Sequence, residues 1–226
     1  MKTVHLYLVR HSATIEIKGK HFIGQTESPL SEHGVEQAWA LRDWLQPHEF
    51  TRVLCSDLTR SLRTVEIILG ARRPPIEVHP ELREIRLGEW DGVSFREIKA
   101  RYPEEFKARG ADIEHWRPPG GESFADCRHR VIEFLHHELP KCEGNVLLVG
   151  HAGVNRLILC EVLGLPIANL MHIGQDYGCV NIVEFGPERA RVLLVNFVPP
   201  SSPKPAEPDG AQEAQDCRPV THVEGA

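Results

Sequence analysis

Two short apolar runs that each end on a histidine constrain this chain most. Val4 to Val9 stops at Arg10-His11, and Asn145 to Val149 stops at Gly150-His151. Runs of that length, closed by polar residues, are the mark of buried parallel strands. Parallel strands need crossover helices between them, and the chain provides these. Ser31 caps a predicted helix to Leu45 whose stripe is Val35, Ala38, Trp39, Leu41, Arg42 and Leu45. Arg52 to Cys55 is a second strand, followed by a helix through Leu69 that stops near Gly70 and Pro74-Pro75. Ile76 to Val78 is a short third strand. Glu122 to Leu139 is a long amphipathic helix, and Val154 to Leu163 a helix after the second histidine. Val180 to Phe185 and Val192 to Phe197 close the pattern around a turn at Gly186-Pro187. Strands alternating with helices predict an α/β fold, a three-layer α/β/α sandwich with a mostly parallel central sheet.

The 226 residues suit one domain and an appendage: a domain over 1–200 and a disordered tail over 201–226. The tail opens with Pro199-Pro200-Ser201-Ser202-Pro203 and has little to bury against its ordering entropy. Lys and Arg number 26 against 32 Asp and Glu, a net charge of −6, so no basic field favours nucleic acid or an anionic membrane. An anionic substrate must be drawn by locally placed cations. The six cysteines show no CxxC pair and no stapled-domain density, and Val4 to Val9 is too short for a signal core or a membrane span. The expectation is a cytoplasmic protein with no membrane partner. An edge strand or exposed helix could pair two copies as a homodimer.

In open α/β sheets, reactive groups gather beyond the carboxyl ends of strands. The segments to compare are therefore Arg10-His11, Ser56 to Arg60, Leu82 to Gly92 and Gly150-His151. Two histidines, two arginines and a glutamate can converge there, and each has a use. A neutral imidazole attacks phosphorus, and guanidiniums beside it disfavour the imidazolium. Arg10 and Arg60 suit phosphate oxygens through bidentate hydrogen bonds. His151 and the amides that follow it, from Ala152 on, offer further donors at a helix start. Glu84 suits the acid that protonates a departing alkoxide and then activates water. Glu81 and Glu89 compete for that position, Arg63 competes with Arg60, and Asp57 could orient an arginine instead. Cys217 and His222 in the tail are weak metal ligands, and His11, His151 and a cysteine lack zinc-site spacing, so neither metal nor cofactor is expected.

Leu8-Val9-Arg10-His11, Phe22 to Gly34, Ser56 to Thr64, Glu81 to Gly92, Gly120-Gly121-Glu122-Ser123 and Gly150-His151-Ala152-Gly153, in that order, resemble the histidine phosphatase superfamily and its phosphoglycerate-mutase-like branch. The resemblance runs from Lys2 to about Phe197. It implies that His11 is phosphorylated, that Arg10, Arg60 and His151 form the phosphate pocket, and that Glu84 is the proton donor. Ser12, Gly24, Gln25, Thr26 and Ala152 are the further substrate-binding candidates it points to. Two departures stand out. Ser12 replaces the glycine that usually follows the histidine, and Ile17 replaces an asparagine that binds phosphate in many members, a role open here to Lys18 or Gln25.

Mutases of the family read Glu-Arg-His-Tyr-Gly around the acid, whereas this chain reads Glu84-Ile85-Arg86-Leu87-Gly88. Gly88-Glu89-Trp90-Asp91-Gly92 resembles the hydrolytic members instead, including α-ribazole phosphatases and broad-specificity phosphatases. The resemblance implies a small phosphorylated metabolite as partner and hydrolysis as the reaction, with mutase activity and noncatalytic phosphate binding as the alternatives. The segment Phe95 to Arg117 is either a lid over the pocket or a helical hairpin packed on the sheet, and Trp116 and Arg117 are its candidates for substrate contact.

Overall fold

The computed structural model describes residues 2–15, 19–71 and 74–200. Ile17, Lys18 and the segment 201–226, with Cys217 and His222, lie outside the described residues. Six strands form one sheet: β1 (Val4–Arg10), β2 (Arg52–Cys55), β3 (Ile76–Val78), β4 (Gly144–Gly150), β5 (Val180–Phe185) and β6 (Ala190–Phe197). Their order is β3-β2-β4-β1-β5-β6. The first four in that order run parallel, and β5 and β6 add an antiparallel edge. The mostly parallel sandwich expected from the strand and helix alternation is the observed architecture.

The apolar runs are continuous because both faces of the sheet are covered. Along β1, Leu6 and Leu8 face one way while Tyr7 and Val9 face the other; β4 repeats this with Val146 and Leu148 against Leu147 and Val149. One layer is formed by α1 (Glu32–Leu45) and α2 (Thr59–Leu69), whose Leu41, Leu45, Val65 and Ile68 meet the Tyr7 face. The other is formed by α5 (Phe124–Glu138) and α6 (Ala152–Leu163), whose Val131, Leu135, Leu157 and Ile158 meet the Leu6 face. Each such side chain contributes roughly 1.5–3 kcal/mol by leaving water.

Ser31 accepts from the Gly34 amide and caps α1 as anticipated. Its stripe keeps Ala38, Leu41 and Leu45 buried, with Gly34 and Ala40 added, while Val35 and Arg42 are half-buried and Trp39 is 48% exposed, the Arg42 guanidinium 4.9 Å from its ring centre. The arginine stem covers part of the indole, so an aromatic at a stripe position is stabilised without entering the core. Between the acid segment and α5 lie α3 (Phe95–Arg101) and α4 (Pro103–Ala111), the helical hairpin of the two readings. Its Phe95, Tyr102 and Phe106 pack against the core on the Leu6 face. Phe95 stacks on Phe22 at 3.9 Å, Phe22 meets Trp90 at 5.2 Å, and Phe106 sits edge-on to Phe95.

Cys55, Cys127, Cys142, Cys160 and Cys179 are buried and unbridged. Among the described residues no helix is long and apolar enough to cross a membrane.

Ser123 closes a capping box at the start of α5. Its hydroxyl accepts from the Asp126 amide at 3.1 Å, and the Asp126 carboxylate accepts the Ser123 amide at 2.9 Å. Ser123→Ala is expected to cost about 1 kcal/mol, read as a lower urea midpoint with an unchanged slope.

Candidate active site

Register brings the two histidines together. β1 and β4 are adjacent and parallel with Arg10 opposite Gly150, so His11 and His151 leave the sheet side by side. The His11 amide donates to the Gly150 carbonyl at 2.9 Å, and the two imidazole centroids lie 5.2 Å apart. Both rings are buried. β2 lies on the far side of β4, and the first turn of the helix that follows it delivers Arg60, which is 1% exposed.

His11 has one ring nitrogen committed. Its Nδ1 lies 2.8 Å from the Ser12 carbonyl, which can only accept, so Nδ1 carries the hydrogen and Nε2 keeps its lone pair. Ser12 is held in turn: its amide donates to Thr64 Oγ1, whose hydroxyl donates to the Arg60 carbonyl. Burial first, then Arg60 and Arg10, hold His11 well below the ordinary histidine value of 6.5. His151 is depressed likewise, by burial and then by Arg60, His11 and Arg10. Its Nε2 lies 2.8 Å from Ser56 Oγ, while its Nδ1 is buried without a partner.

Three guanidiniums converge here without an ion pair among the described residues. Arg60 donates to the backbone carbonyls of Gly24 at 2.7 Å and Thr26 at 2.8 Å. Arg10 donates to the Gln175 carbonyl at 2.5 Å, and its Cζ lies over the Tyr177 ring, 3.7 Å from its centre. Arg156 donates through Nε to the Ile173 carbonyl and lines the same cleft as Arg10, Lys20, His21, Phe95 and Tyr177. Neutral carbonyls orient these cations without cancelling them, so the cleft favours an anion with several oxygens.

Glu84 approaches the same place from the segment after β3. Its Oε2 accepts the Gly153 amide at 3.0 Å in the first turn of α6, and its Oε1 accepts the Ile85 amide. Gly153 has to be glycine for this contact: a Cβ there would stand 2.3 Å from Glu84 Oε1. The acid segment is anchored throughout. Gln25 Nε2 donates to the Glu84 carbonyl, and Arg130 donates to the carbonyls of Glu81 and Arg83 while pairing with Glu122. Asp57 takes the bidentate Arg83 fork, the orienting role foreseen for it, and Arg63 pairs with Glu66. Asp91, pushed up by burial, accepts the amides of Gln25 and Leu87. Gly24, at φ +48°, passes so close to that carboxyl that a Cβ would overlap it at 1.7 Å.

The structure thus gathers Arg10, His11, Ser12, Arg60, Glu84 and His151, with Gly24, Gln25 and Thr26 acting through backbone or amide contacts on Arg60 and Glu84. Ala152 begins α6. Trp116 and Arg117 are engaged with other partners: Trp116 packs on Trp90 at 4.6 Å, and Arg117 pairs with Asp126 at 2.6 Å. Sequence reasoning missed Tyr177, Gln175, Thr64 and Arg156. Only Arg156 had a readable signal, since it lies a little more than one helical turn after His151 and carries a charge on a helix that begins at the site.

The arrangement has known counterparts. Residues 6–198 match the model of the histidine phosphatase superfamily, branch 1. An adenosylcobalamin/alpha-ribazole phosphatase of Escherichia coli strain K12 is 30% identical over 200 residues, spanning 85% of this chain and 96% of that protein. A glucosyl-3-phosphoglycerate phosphatase of Mycolicibacterium vanbaalenii is 31% identical over 183 residues, spanning 77% and 80%. The crystal structure of the alpha-ribazole phosphatase from Shigella flexneri superposes with a TM-score of 0.79 at 31% identity, covering 85% of this chain and 96% of that one. With nearly its whole described length matched, the chain belongs to the histidine phosphatase superfamily, branch 1.

Proposed function

We propose that this chain is a metal-independent phosphomonoesterase that passes the phosphoryl group of a small phosphate ester first to His11 and then to water. The observation that carries the reading is the state of His11: buried, neutral, its Nδ1 fixed on the Ser12 carbonyl, its Nε2 lone pair beside guanidiniums that make no ion pair among the described residues. Nε2 attacks phosphorus, the ester P–O bond breaks, and the alkoxide leaves with a proton from Glu84. Glu84 then takes a proton from water, whose oxygen attacks phosphorus; the P–N bond breaks and inorganic phosphate departs. Arg10, Arg60 and the unpartnered His151 Nδ1 meet the equatorial oxygens, where one such donor is worth about 10²–10³ in rate.

Among substrates, α-ribazole 5′-phosphate is the first candidate, supported by the names of relatives that match the chain at nearly their full length. The five unbridged cysteines support a reducing compartment, the cytoplasm, as the place where it meets its small phosphorylated partner.

Phosphate release from a panel of small monoesters that includes α-ribazole 5′-phosphate, run with excess chelator, tests the reading. Turnover is expected in the wild type and none in His11→Ala; an active His11→Ala protein, or chelator-sensitive turnover, contradicts it. The acid position is tested at Gly153. Gly153→Ala displaces Glu84 and is expected to lower kcat by about 10- to 100-fold while leaving inorganic phosphate binding nearly intact. Because burial and two arginines depress His11, the imidazole is neutral throughout the range above its ordinary 6.5 and for some distance below it. The acid-side fall of kcat/KM through this ring therefore belongs below pH 6.5, and a limb centred at 6.5 would contradict the burial argument.

A further inference from the structure

Tyr177 sits inside the constellation without belonging to any of the motifs that frame it. Its ring centre is 3.7 Å from Arg10 Cζ and 5.5 Å from the His11 ring, tilted at 57° to it. Its phenol also lies within the electrostatic reach of the Arg60 guanidinium. The loop that carries it has little freedom. Asp176 donates its amide to Asn196 Oδ1, Gly178 donates to the His11 carbonyl, and the Cys179 carbonyl accepts the Arg10 amide. Gln175, two residues before it, is locked in a buried amide network with Asn155 and Asn181.

Among the described residues the phenol makes no hydrogen bond, and its residue lines the open cleft with Arg10 and Arg156; the two guanidiniums that act on it, Arg10 and Arg60, are donors only. They can satisfy the oxygen but never the O–H. In place of water, an anionic oxygen held by the same two guanidiniums can accept that hydrogen. We propose that Tyr177 is a catalytic residue that ligates the transferred phosphoryl group, its ring supporting Arg10 and its hydroxyl donating to a non-bridging oxygen. This role rests on the phosphatase reading above.

Tyr177→Phe in the full chain isolates the hydroxyl, because the ring that supports Arg10 remains. With phenyl phosphate as substrate, kcat is expected to fall by about 10- to 100-fold, while KM changes by less than about 3-fold. Affinity for orthovanadate, which mimics the five-coordinate transition state, falls in parallel with kcat. Tyr177→Leu, which also removes the ring, loses more in both and raises KM. A Tyr177→Phe protein with wild-type kcat and wild-type vanadate affinity overturns the proposal. If the wild type turns over nothing, calorimetric titration with vanadate and inorganic phosphate separates the two readings. Weaker binding to Tyr177→Phe upholds the ligand role and sinks the phosphatase reading; equal binding, or none to the wild type, sinks the ligand role as well.

Discussion

The pairing of β1 with β4 sets the geometry on which the chemistry depends. The two strands are parallel, central and in register at Arg10 and Gly150, so the residues that follow them emerge next to each other. The amide of His11 then closes one further ladder bond onto Gly150, extending the sheet by one step under the reacting ring. A slip of one residue along either strand would turn every side chain to the opposite face. It would exchange the two hydrophobic layers and carry one histidine into the core. Because both faces are buried, such a slip is strongly disfavoured, and the relative placement of the imidazoles inherits the stability of the whole core.

Around this pair the protein keeps positive charge in an enclosed place without neutralising it. A buried ion without a partner costs several kcal/mol even after relaxation. Here the cost is reduced by carbonyl dipoles: Gly24 and Thr26 on Arg60, Gln175 on Arg10, Ile173 on Arg156. By contrast, arginines elsewhere, including Arg52, Arg83, Arg117, Arg128, Arg130 and Arg191, pair with carboxylates. The site is thus stabilised just enough to fold and is left short of negative charge. Burial first, and the same guanidinium charge after it, keep protons off both histidines, so the charge that suits an anion also helps keep the imidazoles neutral.

Much of this was legible from the chain alone, for identifiable reasons. Strand ends are marked by a change from apolar to polar residues, and reactive groups cluster there, so Arg10, His11 and His151 could be read from position and residue type, whereas Arg60 over Arg63 and Glu84 over Glu81 and Glu89 rested on the family resemblance. The sandwich followed from the alternation of strand and helix patterns. What could not be read depends on contacts between segments far apart in sequence. Tyr177 lies 166 residues after His11 in a loop without periodicity, and its return to His11 shows only in the fold, through the Gly178 amide on the His11 carbonyl and the Gln175, Asn155 and Asn181 network. Trp116 and Arg117 were placed near the substrate because they end the possible lid segment, next to Pro118-Pro119-Gly120-Gly121. A large apolar ring finds more burial against Trp90, and an arginine beside a helix start finds Asp126, so local energetics decided both positions. Asp91 was passed over within a motif, yet it ties Gln25 to the acid segment.

The tether on Glu84 has a stereochemical consequence. Two amides, one from its own segment and one from the first turn of α6, fix the carboxyl on a single side of the pocket. In the two-step reaction proposed above, a carboxyl held in this way stays on that side through both half-reactions, so the water it would activate enters from the side by which the alcohol would leave. Each displacement at phosphorus is then in-line and opposite in direction to the other, with His11 on the fixed far side both times. Two inversions in succession restore the starting handedness, and a chiral phosphoryl group would leave this site with its configuration retained.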